Sequence, residues 1–250
     1  MLQSVTIELR NVSVDSATGT PILRDINLRI DSGEAVAFIG RSGAGKTTSL
    51  RLINGLAQAT RGEVLIDDIP LASTDLIALR RRIGYVIQGS GLFPHRTVYE
   101  NVATIPRLLA WPDAKTRDAA KELLATLGLP FEQFADRYPR SLSGGEQQRV
   151  GIARAMIANP HILLCDEPFG ALDPIVRREL QETFVRLREG RSVTIVFVTH
   201  DLGEALRVAE RIILFDGGRV VSDSAAREFA HQPLPLVQQL VASASLPESA

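Results

Sequence analysis

Ala35-Val36-Ala37-Phe38-Ile39-Gly40-Arg41-Ser42-Gly43-Ala44-Gly45-Lys46-Thr47-Thr48 decides the fold. Its five leading apolar residues read as a strand covered on both faces, the habit of a parallel sheet. The nine residues after them match the G-x-x-x-x-G-K-[ST] phosphate loop, in its required setting between a strand and a helix. Glycines let the backbone curl so that successive N–H groups point at phosphate oxygens, and the helix adds its positive N-terminal end. In such a loop Lys46 reaches the β- and γ-phosphates and the Thr47 hydroxyl ligates Mg²⁺. The bland alternative is a glycine-rich turn with an exposed lysine. At an average glycine usage of about 7%, the bare pattern arises by chance in on the order of one per cent of chains this long. Nucleotide binding at residues 40–48 is the expectation.

Working outward, residues 162–165 and 193–198 are also nearly continuous apolar runs, as in a parallel sheet. Val5-Thr6-Ile7-Glu8-Leu9 and Ile26-Asn27-Leu28-Arg29-Ile30 instead alternate, which predicts half-buried antiparallel strands. Between about residues 89 and 140 the pattern turns helical. Thr97 and Glu100 form a capping-box signature ahead of a helix over 98–109, and residues 113–127 have helical apolar spacing closed by Gly128. Asp216-Gly217-Gly218-Arg219 reads as a turn between short strands over 212–215 and 219–221. Residues 243–250 read as a frayed tail.

Composition narrows the class. A chain of 250 residues with 45% hydrophobic side chains can bury a sizeable core. Its 28 Lys and Arg nearly balance 29 Asp and Glu, so no electrostatic footprint for nucleic acid exists. The single cysteine, Cys165, excludes an intrachain disulfide framework, fits a reducing compartment and reads as a small core side chain. The N-terminus lacks signal-peptide features, and no apolar run approaches the roughly 18 residues needed to span a bilayer. Any membrane role is expected to be peripheral.

The run 162–165 ends in Asp166-Glu167, at the strand end where open α/β sheets bind ligands. Asp166 is suited to the Mg²⁺ shell, and Glu167 could polarise an attacking water. Alone, this pair would read as a strand leaving the core. His200 follows the run 193–198, where an imidazole could hydrogen-bond a γ-phosphate. Its alternative is a structural histidine beside a helix cap made by Asp201 and Glu204. His95, His161 and His231 have only the structural reading.

Leu142-Ser143-Gly144-Gly145-Glu146-Gln147-Gln148-Arg149 resembles the signature sequence of ABC ATPases. Ser143 and Glu146 also make a capping box for a helix through Ala158, and the two readings are compatible. The resemblance covers nearly the whole chain in the family's order: phosphate loop, Gln88 loop, signature, Asp166-Glu167, Ala171-Leu172-Asp173, His200. It implies an α/β P-loop NTPase core with a mixed sheet, an antiparallel β subdomain and a helical subdomain insertion. One ABC ATPase domain would span 1–242, with a core at about 1–88 and 160–242 and helices at about 89–159.

By that resemblance ATP and Mg²⁺ are bound by Gly40, Arg41, Ser42, Gly43, Ala44, Gly45, Lys46, Thr47 and Thr48, with Thr47, Gln88 and Asp166 about the metal. Glu167 is the catalytic base, His200 the γ-phosphate switch, and Gln88 couples the helical insertion to ATP. Ser143, Gly144, Gly145 and Glu146 close over the nucleotide of a second ATPase subunit. Asp173 meets that subunit's phosphate loop, although before Pro174 it also reads as an N-cap. The implied partners are a like ATPase chain, transmembrane permease subunits and an extracytoplasmic substrate-binding protein, with this chain peripheral on the cytoplasmic face and no nucleic acid.

Tyr85-Val86-Ile87-Gln88-Gly89-Ser90-Gly91-Leu92-Phe93-Pro94-His95-Arg96-Thr97, Leu108-Leu109-Ala110-Trp111 and Asp136-Arg137-Tyr138-Pro139 most resemble importers of quaternary amines such as glycine betaine, choline or carnitine. Import of another small solute such as an amino acid, or a non-transport ABC ATPase, is the alternative. A P-loop kinase would leave the signature unexplained. Two departures stand out. Asn11-Val12-Ser13-Val14-Asp15-Ser16 lacks the family's adenine-stacking aromatic, which predicts weak discrimination between ATP and GTP. The C-terminal pair of CBS modules carried by many such importers is not expected in this chain.

Overall fold

The computed structural model describes residues 5–89, 91–170, 172–188 and 193–244. Ser90, Ala171 and residues 245–250 of the expected tail therefore lie outside the described residues. The chain opens with β1 (Ile7–Asp15), β2 (Pro21–Ile30), β3 (Ala35–Gly40), α1 (Lys46–Ile53), β4 (Arg61–Ile66), β5 (Ile69–Pro70), α2 (Leu76–Arg82) and β6 (Ile83–Val86). There follow α3 (Val98–Val102), α4 (Thr104–Leu108), α5 (Asp113–Thr126), α6 (Phe131–Phe134), α7 (Gly144–Met156), β7 (Ile162–Asp166) and α8 (Pro174–Arg188). It closes with β8 (Thr194–Val198), α9 (Leu202–Val208), β9 (Arg211–Asp216), β10 (Arg219–Ala225), α10 (Ala226–Phe229) and α11 (Pro235–Ser243). Two compact units result, one of residues 1–76 with 194–250 and one of 77–193.

The first unit holds two sheets. An antiparallel sheet runs β2-β1-β4-β5, with Ile7 opposite Ile30 and Leu9 opposite Leu28. The register shifts at three points along β1, the first between Leu9 and Val12, where Asn11 takes φ 50° and Gly62 of β4 approaches its carbonyl too closely for any Cβ. The second sheet runs β10-β9-β3-β8. There β3 lies parallel to both β8 and β9, while β10 is antiparallel to β9, so the sheet is mixed. Every residue of β3 and β8 is buried, which explains why these strands read as apolar runs rather than as alternation. The β9–β10 hairpin turns on Gly217 and Gly218 at φ 51° and 78°, the left-handed pair that a two-residue turn requires. Its strands extend beyond the expected short runs, with Arg211 clamped by Asp223 through two hydrogen bonds of 2.6 and 2.7 Å. That pairing raises the Arg211 pKa, with burial opposing.

The second unit pairs β6 with β7 in parallel, Tyr85 opposite Leu164, and surrounds them with helices. Thr97 and Glu100 cap α3 reciprocally, at 3.2 and 2.9 Å, as their spacing predicts. The single helix expected over 98–109 is a correction, because the structure breaks it at Ala103 into α3 and α4. Pro106 is the cause. It has no N–H to donate to the Val102 carbonyl, and its ring would collide with that carbonyl in a continuous helix. α5 ends as expected before Gly128 at φ 70°. Among the described residues no helix is long and apolar enough to cross a membrane.

Candidate active site

In the first unit the phosphate loop leaves β3 and enters α1. Gly40 sits at φ 147°, and a Cβ there would lie 2.2 Å from the Phe215 carbonyl oxygen of β9. Gly43 and Gly45 also take positive φ, 77° and 97°, and a Cβ on Gly45 would meet Leu23. The pattern's glycines are thus required both for curl and for close approach. Lys46 is buried, and its Nζ donates to the carbonyls of Gly40 at 2.7 Å and Arg41 at 2.8 Å, holding the ammonium inside the loop. Ala44 is buried, Thr47 and Thr48 are half-buried, and Arg41, Ser42 and Gly43 are exposed. Arg41 also reaches Gln239 of α11 at 3.2 Å. His200 lies exposed one residue past Thr199, whose N–H donates to the Phe38 carbonyl of β3.

The capping expected of Asp201 is present, its Oδ1 accepting from Glu204 N–H at 3.1 Å. Glu204, expected only as a partner in that cap, is a buried carboxylate. Its side chain accepts a hydrogen bond from the Thr199 hydroxyl, in the turn that carries His200.

The second unit brings together Gln88, Glu167 and the signature. β7 is wholly buried and ends in Asp166, 3% exposed, followed by half-buried Glu167 at φ 51°. Gln88 Nε2 donates to Glu167 Oε2 at 2.9 Å, joining residues 79 apart in sequence. A cavity of about 350 Å³ is lined by Gln88, Gly144, Gln147, Gln148, Glu167 and Gly170, among others. Ser143 caps α7, its hydroxyl accepting from Glu146 N–H at 3.2 Å while Glu146 Oε2 accepts from Ser143 N–H at 2.7 Å. One oxygen of the Glu146 carboxylate is thus engaged within the box at the start of α7. Asp173 caps α8, its Oδ1 accepting from the N–H groups of Ile175 at 3.1 Å and Val176 at 3.0 Å.

Cys165 is fully buried, and burial followed by the neighbouring Asp166 charge pushes its thiol well above the ordinary range, as a core side chain requires.

Two residues outside the expected site set also hold it: Gln148, within the signature run, and Arg154, which belongs to no motif. Gln148, buried on α7, donates to the Pro168 carbonyl at 2.9 Å. Arg154, its pKa lowered by burial, donates to the Gly91 carbonyl at 2.8 Å and so tethers the segment after Gln88 to α7. For Arg154 the sequence offers no more than a polar side chain on the inward face of a helix.

Residues 23–170 match the family model described as ABC transporter. The chain belongs to the ABC transporter family. It is 45% identical over 227 residues, 91% of this chain and 57% of the relative, to the carnitine transport ATP-binding protein OpuCA of Listeria monocytogenes. It is 44% identical over 227 residues to the choline transport ATP-binding protein OpuBA of Bacillus subtilis, covering 91% of this chain and 59% of that one. This ABC chain thus spans less than two thirds of the length of these curated relatives. Its fold is that of ABC cassettes: the dimeric post-hydrolysis state of the ATP-binding cassette MJ0796, bound to ADP and Pi, superposes with a TM-score of 0.82 at 38% identity, covering 88% of this chain and 99% of that one.

Proposed function

We propose that this chain is the ATP-hydrolysing subunit of an importer of quaternary ammonium osmoprotectants, such as glycine betaine, choline or carnitine. The observation that carries the ATPase reading is the Gln88–Glu167 hydrogen bond beside buried Asp166, in a chain that also has the phosphate loop. The substrate class is supported by the identity of about 45% to carnitine and choline transport ATP-binding proteins.

In the proposed reaction, backbone N–H groups of residues 40–48 and the Lys46 ammonium hold the triphosphate. Glu167 orients a water and takes its proton as the oxygen attacks the γ-phosphorus, and the bond to the β-phosphate oxygen breaks to leave ADP and inorganic phosphate. Gln88 keeps the Glu167 carboxylate aimed, and His200 donates to the γ-phosphate. Thr47, Gln88 and Asp166 would hold Mg²⁺, which would neutralise charge on the β- and γ-oxygens. These are the hard oxygen donors that the ion takes, and one or two carboxylates beside substrate phosphates suffice for it.

Two chains would pair so that Ser143, Gly144 and Gly145 of one meet the nucleotide of the other, with Asp173 at the same junction. The dimeric form of the MJ0796 cassette supports pairing as such. ATP would favour the closed pair and hydrolysis would reopen it. A core of about residues 1–88 and 160–242 would carry the nucleotide, and residues 89–159 would pass the motion to permease subunits from the cytoplasmic face, with an extracytoplasmic binding protein delivering cargo. The test is uptake of labelled glycine betaine and choline in cells whose own copy is replaced by the wild type or by Glu167→Gln. Only wild type is expected to restore uptake. Equal uptake with both would refute the role of Glu167 in transport, and no uptake of either compound with wild type would remove the substrate class.

A further inference from the structure

Gln148 stands three residues beyond Gly145 on α7, so the two share a face. Its side chain is 5% exposed, and its Nε2 donates to the carbonyl of Pro168. Pro168 directly follows Glu167, whose backbone is left-handed at φ 51°. For a residue with a side chain that conformation is sparsely populated and persists only where its surroundings over-determine it. Three contacts do so here. Gly170 N–H donates to the Glu167 carbonyl at 3.2 Å, Gln88 holds the carboxylate, and Gln148 holds the next peptide unit at 2.9 Å. Proline at 168 biases residue 167 toward extended backbone, so the left-handed φ must be held by these contacts.

The same face of α7 touches the start of α8. A Cβ on Gly145 would lie 2.9 Å from Val176 Cγ1 and 3.5 Å from Leu172 Cδ2, and the Val176 N–H is capped by Asp173. One rigid helix therefore contacts the peptide beside Glu167, the start of α8 and, at its own N-terminus, Ser143 and Gly144.

We infer that Gln148 is a positioning residue for Glu167, through which the signature helix sets the aim of the carboxylate. This rests on the reading of Glu167 as the base. In a pair where Ser143, Gly144 and Gly145 meet the partner's nucleotide, the link makes water activation in one site responsive to occupancy of the other.

The experiment measures steady-state ATP hydrolysis and binding of a fluorescent ATP analogue by the purified full chain, as wild type, Gln148→Met, Gln148→Glu and Glu167→Gln. For Gln148→Met a kcat lower by about tenfold to a hundredfold is expected, the scale of a misplaced catalytic group. The KM for ATP and the analogue affinity should stay within about twofold, the signature of an interaction used in the transition state. In Gln148→Glu the carboxyl can donate to the Pro168 carbonyl only when protonated. Burial raises its pKa, so kcat relative to wild type should recover between about pH 8 and about pH 6, which Gln148→Met cannot do. Wild-type kcat in Gln148→Met, beside an inactive Glu167→Gln, would overturn the inference. Should Gln148→Met fail to fold, a Gln148→Glu profile parallel to that of wild type would overturn it equally. If Glu167→Gln itself turns over at the wild-type rate, the base reading fails first.

Discussion

Gly40→Ala tests the argument that the phosphate loop is set by how closely two parallel strands approach. A Cβ at this position would lie 2.2 Å from the Phe215 carbonyl oxygen and 3.1 Å from its carbon. Carbon–oxygen contacts settle at about 3.3 Å or more, so β3 and β9 must separate by about 1 Å at the mouth of the loop. The φ of 147° adds strain for any residue with a side chain, about 1–3 kcal/mol. Overpacking of a buried site adds about 1–3 kcal/mol. The sum is about 2–6 kcal/mol, a large part of the roughly 5–15 kcal/mol that holds a folded domain. Gly43→Ala is the internal comparison, since φ is 77° there but nothing lies within 4 Å of its Cβ, leaving strain alone.

Because the chain has two compact units, a global midpoint would blur the effect. Backbone hydrogen exchange in peptides covering β3 and β9 reads it locally. At about 1.4 kcal/mol per factor of ten, a loss of about 3 kcal/mol speeds exchange there by more than about a hundredfold. Gly43→Ala should give about fivefold, on about 1 kcal/mol of strain alone. Equal exchange rates for the two variants would refute the steric argument.

Three further outcomes follow from other parts of the molecule. Cys165 should resist thiol reagents in the native chain at mildly alkaline pH and react on unfolding. Since its pKa is raised on folding, the native chain keeps a proton that the unfolded chain sheds, so stability should fall as pH rises past the ordinary thiol value; denaturant midpoints that rise there would contradict this. Pro106→Ala should let α3 and α4 join, seen as a slowly exchanging new amide at position 106; a freely exchanging amide would mean that Pro106 is not what breaks the helix. With no aromatic between Asn11 and Ser16, GTP should compete with ATP more effectively than it does in a relative with a stacking aromatic; equal selectivity in a competition assay would refute this.

Much of the fold was legible because its signals are local. The apolar runs of β3, β7 and β8, the boxes at Thr97 and Ser143, the glycine pair of the β9–β10 turn and the stop at Gly128 each depend on neighbours within a few residues. The break in the helix expected over 98–109 is local as well: the box at Thr97 marks where a helix starts, whereas the missing N–H of Pro106 limits how far it continues.

By itself, the sequence determined the parts of this protein whose chemistry is carried by consecutive residues: the loop of residues 40–48, the cap at Ser143, and the carboxylates at the end of β7. Only the tertiary structure decided which of these meet. It brought Gln88 onto Glu167 from 79 residues away, turned Gln148 inward onto the Pro168 carbonyl, and led Arg154 to the Gly91 carbonyl. The physical reason is that a periodic pattern tells which face of an element is buried, but not which atom it will find there. Buried polar groups must be satisfied, and their partners are set by packing between segments far apart in the chain.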